Sequence, residues 1–258
     1  MNCKFALITG ASSGLGADFA WRLAHQGYDL LITARRLERL QDLQQKIEGM
    51  FNQSVSVFQA DLSNSVGPSS ILAEIDRINR PVDFLINNAG YGYAAGVLDK
   101  SIDEWEKMIQ VNINSLVHLT RQILPSMVAQ KQGRIINVAS VAAFQAVPWF
   151  NVYSAAKAFV LSFTEALAQE VKGSHIKVSC LCPGPTRTEF AHIAGTDTIK
   201  PPEFVWMESD EVVRRALQAV EKNKVVCIPG IFNKIQVHGE RVLPRHFVSY
   251  VAGQIYKP

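Results

Sequence analysis

The sequence predicts a doubly wound α/β fold, a parallel sheet of about seven strands with helices on both faces, on three observations. Apolar runs of strand length recur at wide intervals, helical periodicity fills most of the gaps, and the strand candidates are almost continuously hydrophobic. Continuous hydrophobicity marks strands covered on both faces, and alternation with helices marks parallel neighbours joined by crossovers. The strand candidates span residues 4–9, 28–34, 55–60, 84–87, 134–140, 176–182 and 225–228; helical segments lie at 17–25, 37–47, 71–78, 104–127 and 154–171. Ligands of such sheets bind beyond the carboxyl ends of the strands, so the residues that follow each strand are the ones to read for function.

A chain of 258 residues, 48% hydrophobic and 19% charged, can bury a large core and lies near the upper limit of a single domain, here 1–258. The formal net charge of +3 is small and its Lys and Arg residues are dispersed, which argues against nucleic acid as a partner. Cys3, Cys180, Cys182 and Cys227 form no C-x-x-C pair and read as free, mostly buried thiols. No run reaches ~18 apolar residues, and residues 1–8 are too short and too strand-like for a signal peptide, so a soluble cytoplasmic protein is expected.

After the first strand comes Thr9-Gly10-Ala11-Ser12-Ser13-Gly14-Leu15-Gly16, followed by an amphipathic helical segment. Glycines here allow a tight turn and close backbone approach, and the N–H groups opening the helix offer donors to a pyrophosphate. Gly10, Ser12, Ser13, Gly14, Leu15 and Gly16 are therefore candidate contacts for a dinucleotide; a plain strand-to-helix turn is the competing reading. The same residues satisfy G-x-S-x-G, a nucleophile elbow with Ser12 as nucleophile, but only eight residues precede the loop, too few to supply an oxyanion-hole loop upstream. A P-loop is excluded because no Gly-Lys-Ser or Gly-Lys-Thr follows.

The second strand ends in Ala34-Arg35-Arg36, about 20 residues past the glycine loop, where an acid would bind the NAD ribose. Two guanidiniums there instead suit a 2′-phosphate, so NADP(H) is the expected cofactor, with Arg35 the firmer contact and Arg36 open to a solvated helix start. Asp61, with Leu62, ends the third strand in reach of an adenine amino group; a turn or N-cap role ahead of Asn64 competes.

Tyr153 and Lys157 stand four apart in a helical segment and so share a face. A phenol with a pKa of about 10 is a poor proton shuttle at neutral pH, but a neighbouring cation favours the phenolate and lowers that value. Ser140, at the end of the preceding strand, can bring its hydroxyl to the same substrate oxygen.

In these residues the sequence resembles the short-chain dehydrogenase/reductase family over about residues 4–188. The motifs are the glycine loop, Asn87-Asn88-Ala89-Gly90, Ser140 ahead of Tyr153-x-x-x-Lys157, and Pro183-Gly184-Pro185-Thr186-Arg187-Thr188. The resemblance implies a Rossmann fold and hydride transfer between a nicotinamide and a carbonyl or alcohol. It implies that Tyr153 protonates the carbonyl oxygen, Lys157 lowers its pKa and holds the ribose, and Ser140 positions the substrate. Asn112 would shape its helix around a proton-relaying water. Asn88, Ala89, Gly90, Pro183, Gly184, Thr186 and Thr188 would touch the cofactor. Ser115 replaces a family glycine and is expected to crowd the helix near Asn112. Arg35-Arg36 and the tail segments Ile228-Pro229-Gly230 and Leu243-Pro244-Arg245 are similar to the general ketone and aldehyde reductase branch. No metal is needed for this chemistry, and the histidines, His192 included, lack ligand spacing.

Residues 189–207, with Phe190, Phe204, Trp206 and Pro201-Pro202, read as a substrate lid whose aromatics point to a hydrophobic substrate, or else as core packing for a long loop. Tyr91, Tyr93, Phe144, Val147, Trp149 and Phe150 are candidates for the same pocket. The amphipathic tail, 231–258, reads first as an oligomer contact in a homodimer or homotetramer; membrane-surface attachment is weaker because no dense basic cluster accompanies it. Two other function classes remain in view: a serine hydrolase using Ser12 and a noncatalytic NADP(H)-binding regulator.

Overall fold

The computed structural model describes residues 4–196, 199 and 201–257. Its strands are β1 (Lys4–Thr9), β2 (Tyr28–Ala34), β3 (Val55–Gln59), β4 (Phe84–Asn87), β5 (Gly133–Val138), β6 (Ile176–Leu181), β7 (Thr186–Arg187), β8 (Met207–Glu208) and β9 (Val226–Cys227). Seven of them form one parallel sheet in the order β3-β2-β1-β4-β5-β6-β9, while β7 and β8 pair separately. The chain reverses its direction of winding between β1 and β4, which opens a crevice at their carboxyl ends.

Successive strand residues point to opposite faces, and here both faces are dry. Leu30 and Ile32 of β2 pack in one cluster with Phe19 and Leu23 of α1 (Gly14–His25) and Leu40 of α2 (Leu37–Met50). Leu31 packs in the other, with Ile71 of α3 (Val66–Ile78) and Leu167. This two-sided burial is the physical reason the strand patterns are continuous rather than alternating.

The helical stretch at 104–127 is not one regular helix. It runs as α4 (Ile102–Ile109), a π-helical turn at Gln110–Asn114, and α5 (Ser115–Gln130). A π turn adds a residue without ending the helix, so helical periodicity alone does not disclose it. Asn112 lies in this turn, and Ser115 is accommodated rather than crowded: it is buried and its hydroxyl donates to Val111 O at 2.6 Å.

A buried polar line ties α5 to α6 (Asn151–Glu170) through the sheet. Asn87 donates to Thr120 Oγ1 (3.0 Å) and Asn137 Oδ1 (2.9 Å), and Asn137 donates to Thr164 Oγ1 (3.0 Å). Deleting one partner would strand the other in a dry core, at a cost of roughly 1–3 kcal/mol.

After β6 come α7 (Phe190–Ala194), α8 (Ser209–Glu221), α9 (Ile231–Glu240) and α10 (Arg245–Tyr256). The tail is thus two helices, and Ile235, Leu243, Phe247 and Val251 face the crevice rather than forming only an outer patch. Among the described residues no helix is long and apolar enough to cross a membrane. Cys180, Cys182 and Cys227 are buried free thiols; Cys3 lies outside the described residues.

Candidate active site

A cavity of about 1580 Å³ runs along the carboxyl ends of the strands. At one end the glycine loop turns sharply, with Gly10 at φ 68° and Gly14 at φ 52°, conformations that favour glycine. Thr9 fastens this loop to β4. Its hydroxyl donates to Ile86 O (3.3 Å) and accepts from the N–H groups of Asn88 (3.1 Å) and Ala89 (3.0 Å). Asn88 Nδ2 completes the clasp by donating to Thr9 O (2.9 Å) and Gly10 O (3.1 Å).

The loop leads into α1, whose N-cap Ser13 makes no side-chain cap bond and whose first turn has no acid. Its first N–H groups therefore lack a side-chain acceptor and favour an anion. A bare backbone, a helix N-terminus and a glycine-lined wall fit the pyrophosphate of a dinucleotide. Beyond them Arg35 and Arg36 line the cleft with Asp61 and Leu62. Arg35 has no ion pair among the described residues. Arg36, at the start of α2 and partly exposed, donates to Ser12 Oγ (3.1 and 3.2 Å), Ser13 Oγ (2.8 Å) and Glu189 Oε2 (2.8 Å). Asp61 Oδ1 accepts from Ser63 N at 2.9 Å, the competing turn role, while Asn64 itself caps α3 through Val66 N (3.0 Å) and Gly67 N (3.1 Å).

At the other end α6 brings Tyr153 and Lys157 to the cleft. The Tyr153 ring is wedged between Phe150 (centroids 4.4 Å) and Phe190 (5.3 Å), with Lys157 Nζ 5.6 Å from its centre. Lys157 is 4% exposed and donates to Val138 O at 2.9 Å. Burial lowers its ammonium to about 8. Ser140 is extended and its oxygen accepts from Ala142 N (3.1 Å), fixing the hydroxyl at the head of the 3₁₀ turn Val141–Phe144.

Asn112 stands behind this group. Its Nδ2 donates to Tyr91 O and Met108 O, both at 2.9 Å, and its buried Oδ1 has no partner. A Cβ on Gly90 would lie 2.7 Å from Asn112 Oδ1 and 3.0 Å from Lys157 Nζ, so the missing side chain leaves both groups beside the cleft wall.

The depressed Lys157 value has a thermodynamic consequence. Between about pH 8 and the usual 10.5, the unfolded chain holds a proton there that the native fold has released, so stability from this position rises with pH in that window. Lys157→Met is therefore expected to be more stable than wild type at pH 7, with its advantage shrinking from pH 8 to 10.5 in urea unfolding.

All but two of the predicted site residues line the cleft, including Ala89, Gly90, Pro183, Gly184, Thr186 and Thr188. Gly16 and Asn112 do not: they support the wall from behind, because a Cβ at Gly16 would strike Gly10 O at 2.3 Å and Asn112 is spent on holding the π turn. Of the predicted pocket aromatics, Tyr91, Phe150, Phe190 and Trp206 line the cleft, as does Val147. Tyr93 instead packs between Tyr91 and Trp105, Phe144 joins the Val160 cluster, Phe204 meets Phe232 at a tilt outside the lining, and Trp149 is outside it too. Ser12 lacks a base, since no described histidine lines the cleft and its oxygen is held by Arg36. Asn233 was not signalled by the sequence, and Thr9 and Glu189, though inside the glycine-loop and lid segments, carried no role there. Asn233, buried on α9, donates to Pro229 O (2.7 Å) and leaves room only for glycine at Gly184.

Such a sheet, with a cleft at the carboxyl ends of its strands, is a Rossmann-like α/β fold. The chain belongs to the short-chain dehydrogenase family, whose model matches residues 4–198. It is 38% identical to an uncharacterized oxidoreductase of Staphylococcus saprophyticus over 75% of this chain and 79% of that protein. Among solved structures it is similar to a short-chain dehydrogenase from Sphingobium yanoikuyae in complex with NADPH (TM-score 0.83, 33% identity, 92% of this chain and 93% of that one). It is also similar to a 7β-hydroxysteroid dehydrogenase (TM-score 0.87, 26% identity, 96% of each chain).

Proposed function

We propose that the protein is an NADP(H)-dependent oxidoreductase that interconverts a hydrophobic carbonyl compound and its alcohol, with Tyr153 as general acid and base. The observation that carries this reading is one cleft with an arginine–serine end, a glycine loop between, and Tyr153, Lys157 and Ser140 at the far end. Arg35, Arg36, the glycine loop, Asp61, Asn88 to Gly90 and Pro183 to Thr188 would hold the cofactor, which when bound supplies or accepts the hydride.

The protein's own groups manage the proton. The Tyr153 hydroxyl donates to the carbonyl oxygen as negative charge develops there, and Ser140 donates a second hydrogen bond to the same atom. Lys157, fixed on Val138 O, places its cation on the tyrosine side, and the unpaired Asn112 Oδ1 nearby suits a proton relay. Phe150, Phe190, Trp206, Leu243 and Phe247 wall the substrate end, which excludes water and favours apolar groups. The likeness to a hydroxysteroid dehydrogenase and to an NADPH-bound enzyme supports this reading, as does the Arg35-Arg36 pattern of ketone and aldehyde reductases. A noncatalytic regulator is the second reading.

Fluorescence titration with NADPH and NADH, followed by NADPH consumption against hydrophobic ketones and aldehydes, tests the proposal. NADPH is expected to bind more tightly and to be consumed. Binding of neither nucleotide would overturn it.

A further inference from the structure

Glu189 follows Thr188 and precedes α7, yet its side chain leaves that region and crosses to the end of β2. Arg36 Nη1 donates to its Oε2 at 2.8 Å and Arg39 Nη1 to its Oε1. The remaining Arg36 nitrogens hold Ser12 Oγ and Ser13 Oγ. Two guanidiniums thus converge on one carboxylate, and two glycine-loop hydroxyls fix one of those guanidiniums from its other edge. That donor set is what a phosphate dianion requires, and a carboxylate is the smaller oxyanion that fits the same fork. Both arginines hold the Glu189 carboxyl at about 2, so it is ionised at any working pH.

We propose that Glu189 is a built-in competitor for the 2′-phosphate of NADP(H), and so a determinant of cofactor selectivity. This rests on the NADP(H) reading above. An arriving 2′-phosphate and Glu189 cannot share Arg36 and Arg39 without mutual repulsion, so the glutamate yields its place. A nucleotide with a free 2′-hydroxyl makes no such demand and leaves the ion pairs intact. The pairs are partly open to solvent, with side-chain exposures of 39–47%, so the competition tunes affinity and does not abolish it. The exchange also reaches the substrate end, because Phe190, the next residue, packs on Tyr153 and Phe150.

The test is a set of equilibrium titrations on wild type and Glu189→Gln. The ligands are NADPH, NADH, and the fragments adenosine 2′,5′-bisphosphate and ADP. Glu189→Gln is expected to tighten NADPH and the 2′-phosphorylated fragment by about two- to fivefold, the upper part of the range for a partly exposed ion pair. NADH and ADP should be unmoved. In an Arg36→Gln/Arg39→Gln background the same substitution should have no effect on NADPH, which ties the gain to the arginines and serves as the second variant set. Weaker or unchanged NADPH binding in Glu189→Gln, or an equal shift for all four ligands, overturns the proposal and leaves Glu189 as a structural tie. Failure of the underlying reading shows separately, in wild type, as no preference for NADPH over NADH.

Discussion

Tyr153→Phe is expected to lower kcat/KM for carbonyl reduction by about 10²–10⁴-fold, the usual worth of a positioned general acid, while NADPH binding is retained. The substitution removes one oxygen and keeps the ring. The ring is 6% exposed and held by Phe150 at 4.4 Å and Phe190 at 5.3 Å, contacts that phenylalanine keeps. The glycine loop and the arginine end are on other elements. A loss confined to turnover therefore isolates proton transfer from binding and from folding. Stopped-flow NADPH oxidation and fluorescence titration on the same preparations separate the two. A noncatalytic NADP(H)-binding regulator predicts the opposite pattern, with function intact in the variant, and a hydrolase using Ser12 would not respond at all. Retained reduction by Tyr153→Phe would remove the tyrosine from the mechanism.

The parts of this site that can be read from the sequence are those whose chemistry is local. Tyr153 and Lys157 are one helical turn apart, so their shared face follows from spacing alone. The glycine loop is legible because strand, turn and helix succeed one another within a few residues. Long-range partners are another matter. Glu189 reaches Arg36 across 153 positions, and nothing in either neighbourhood marks the pair. The clasp of Thr9 on Asn88 and Ala89 joins the ends of two strands that become neighbours only through the sheet order. Asn137, Thr120 and Thr164 look like ordinary polar residues in apolar runs until the fold brings them to Asn87. The helices of the tail are hidden for a different reason: their apolar positions are divided between the cleft and solvent, so Ile235 and Phe247 face the cavity while remaining exposed. Among the pocket aromatics, type alone could not tell Phe150, which meets Tyr153, from Phe144, which packs on the Val160 cluster.

Gly16→Ala tests the glycine loop with the sign of the effect reversed from local expectation. Gly16 is in the first turn of α1, where alanine is favoured over glycine by up to about 1 kcal/mol on helix propensity. Its backbone is not in the left-handed region, so no dihedral strain opposes the change. What opposes it is space. The new Cβ would stand 2.3 Å from Gly10 O and 2.6 Å from Asn88 Nδ2, the two atoms whose hydrogen bond pins the loop to β4. Neither is the free end of a flexible chain: one is backbone and the other is fixed by two bonds. The loop must move, and the N–H groups that would receive the pyrophosphate move with it. Overpacking of this kind costs about 1–3 kcal/mol, and a chain of this size loses roughly 2–4 °C of Tm for each kcal/mol. NADPH affinity is expected to fall by at least about tenfold, equivalent to roughly 1.4 kcal/mol. Gly49→Ala is the control, because it also lies in a helix and its Cβ would meet nothing within 4 Å, so propensity should act alone and leave stability equal or higher. Thermal unfolding and nucleotide titration of the two variants side by side distinguish steric blockage from a general intolerance of alanine. If Gly16→Ala is as stable as Gly49→Ala and binds NADPH like wild type, the tight contact behind the loop is not what holds the phosphate site in shape.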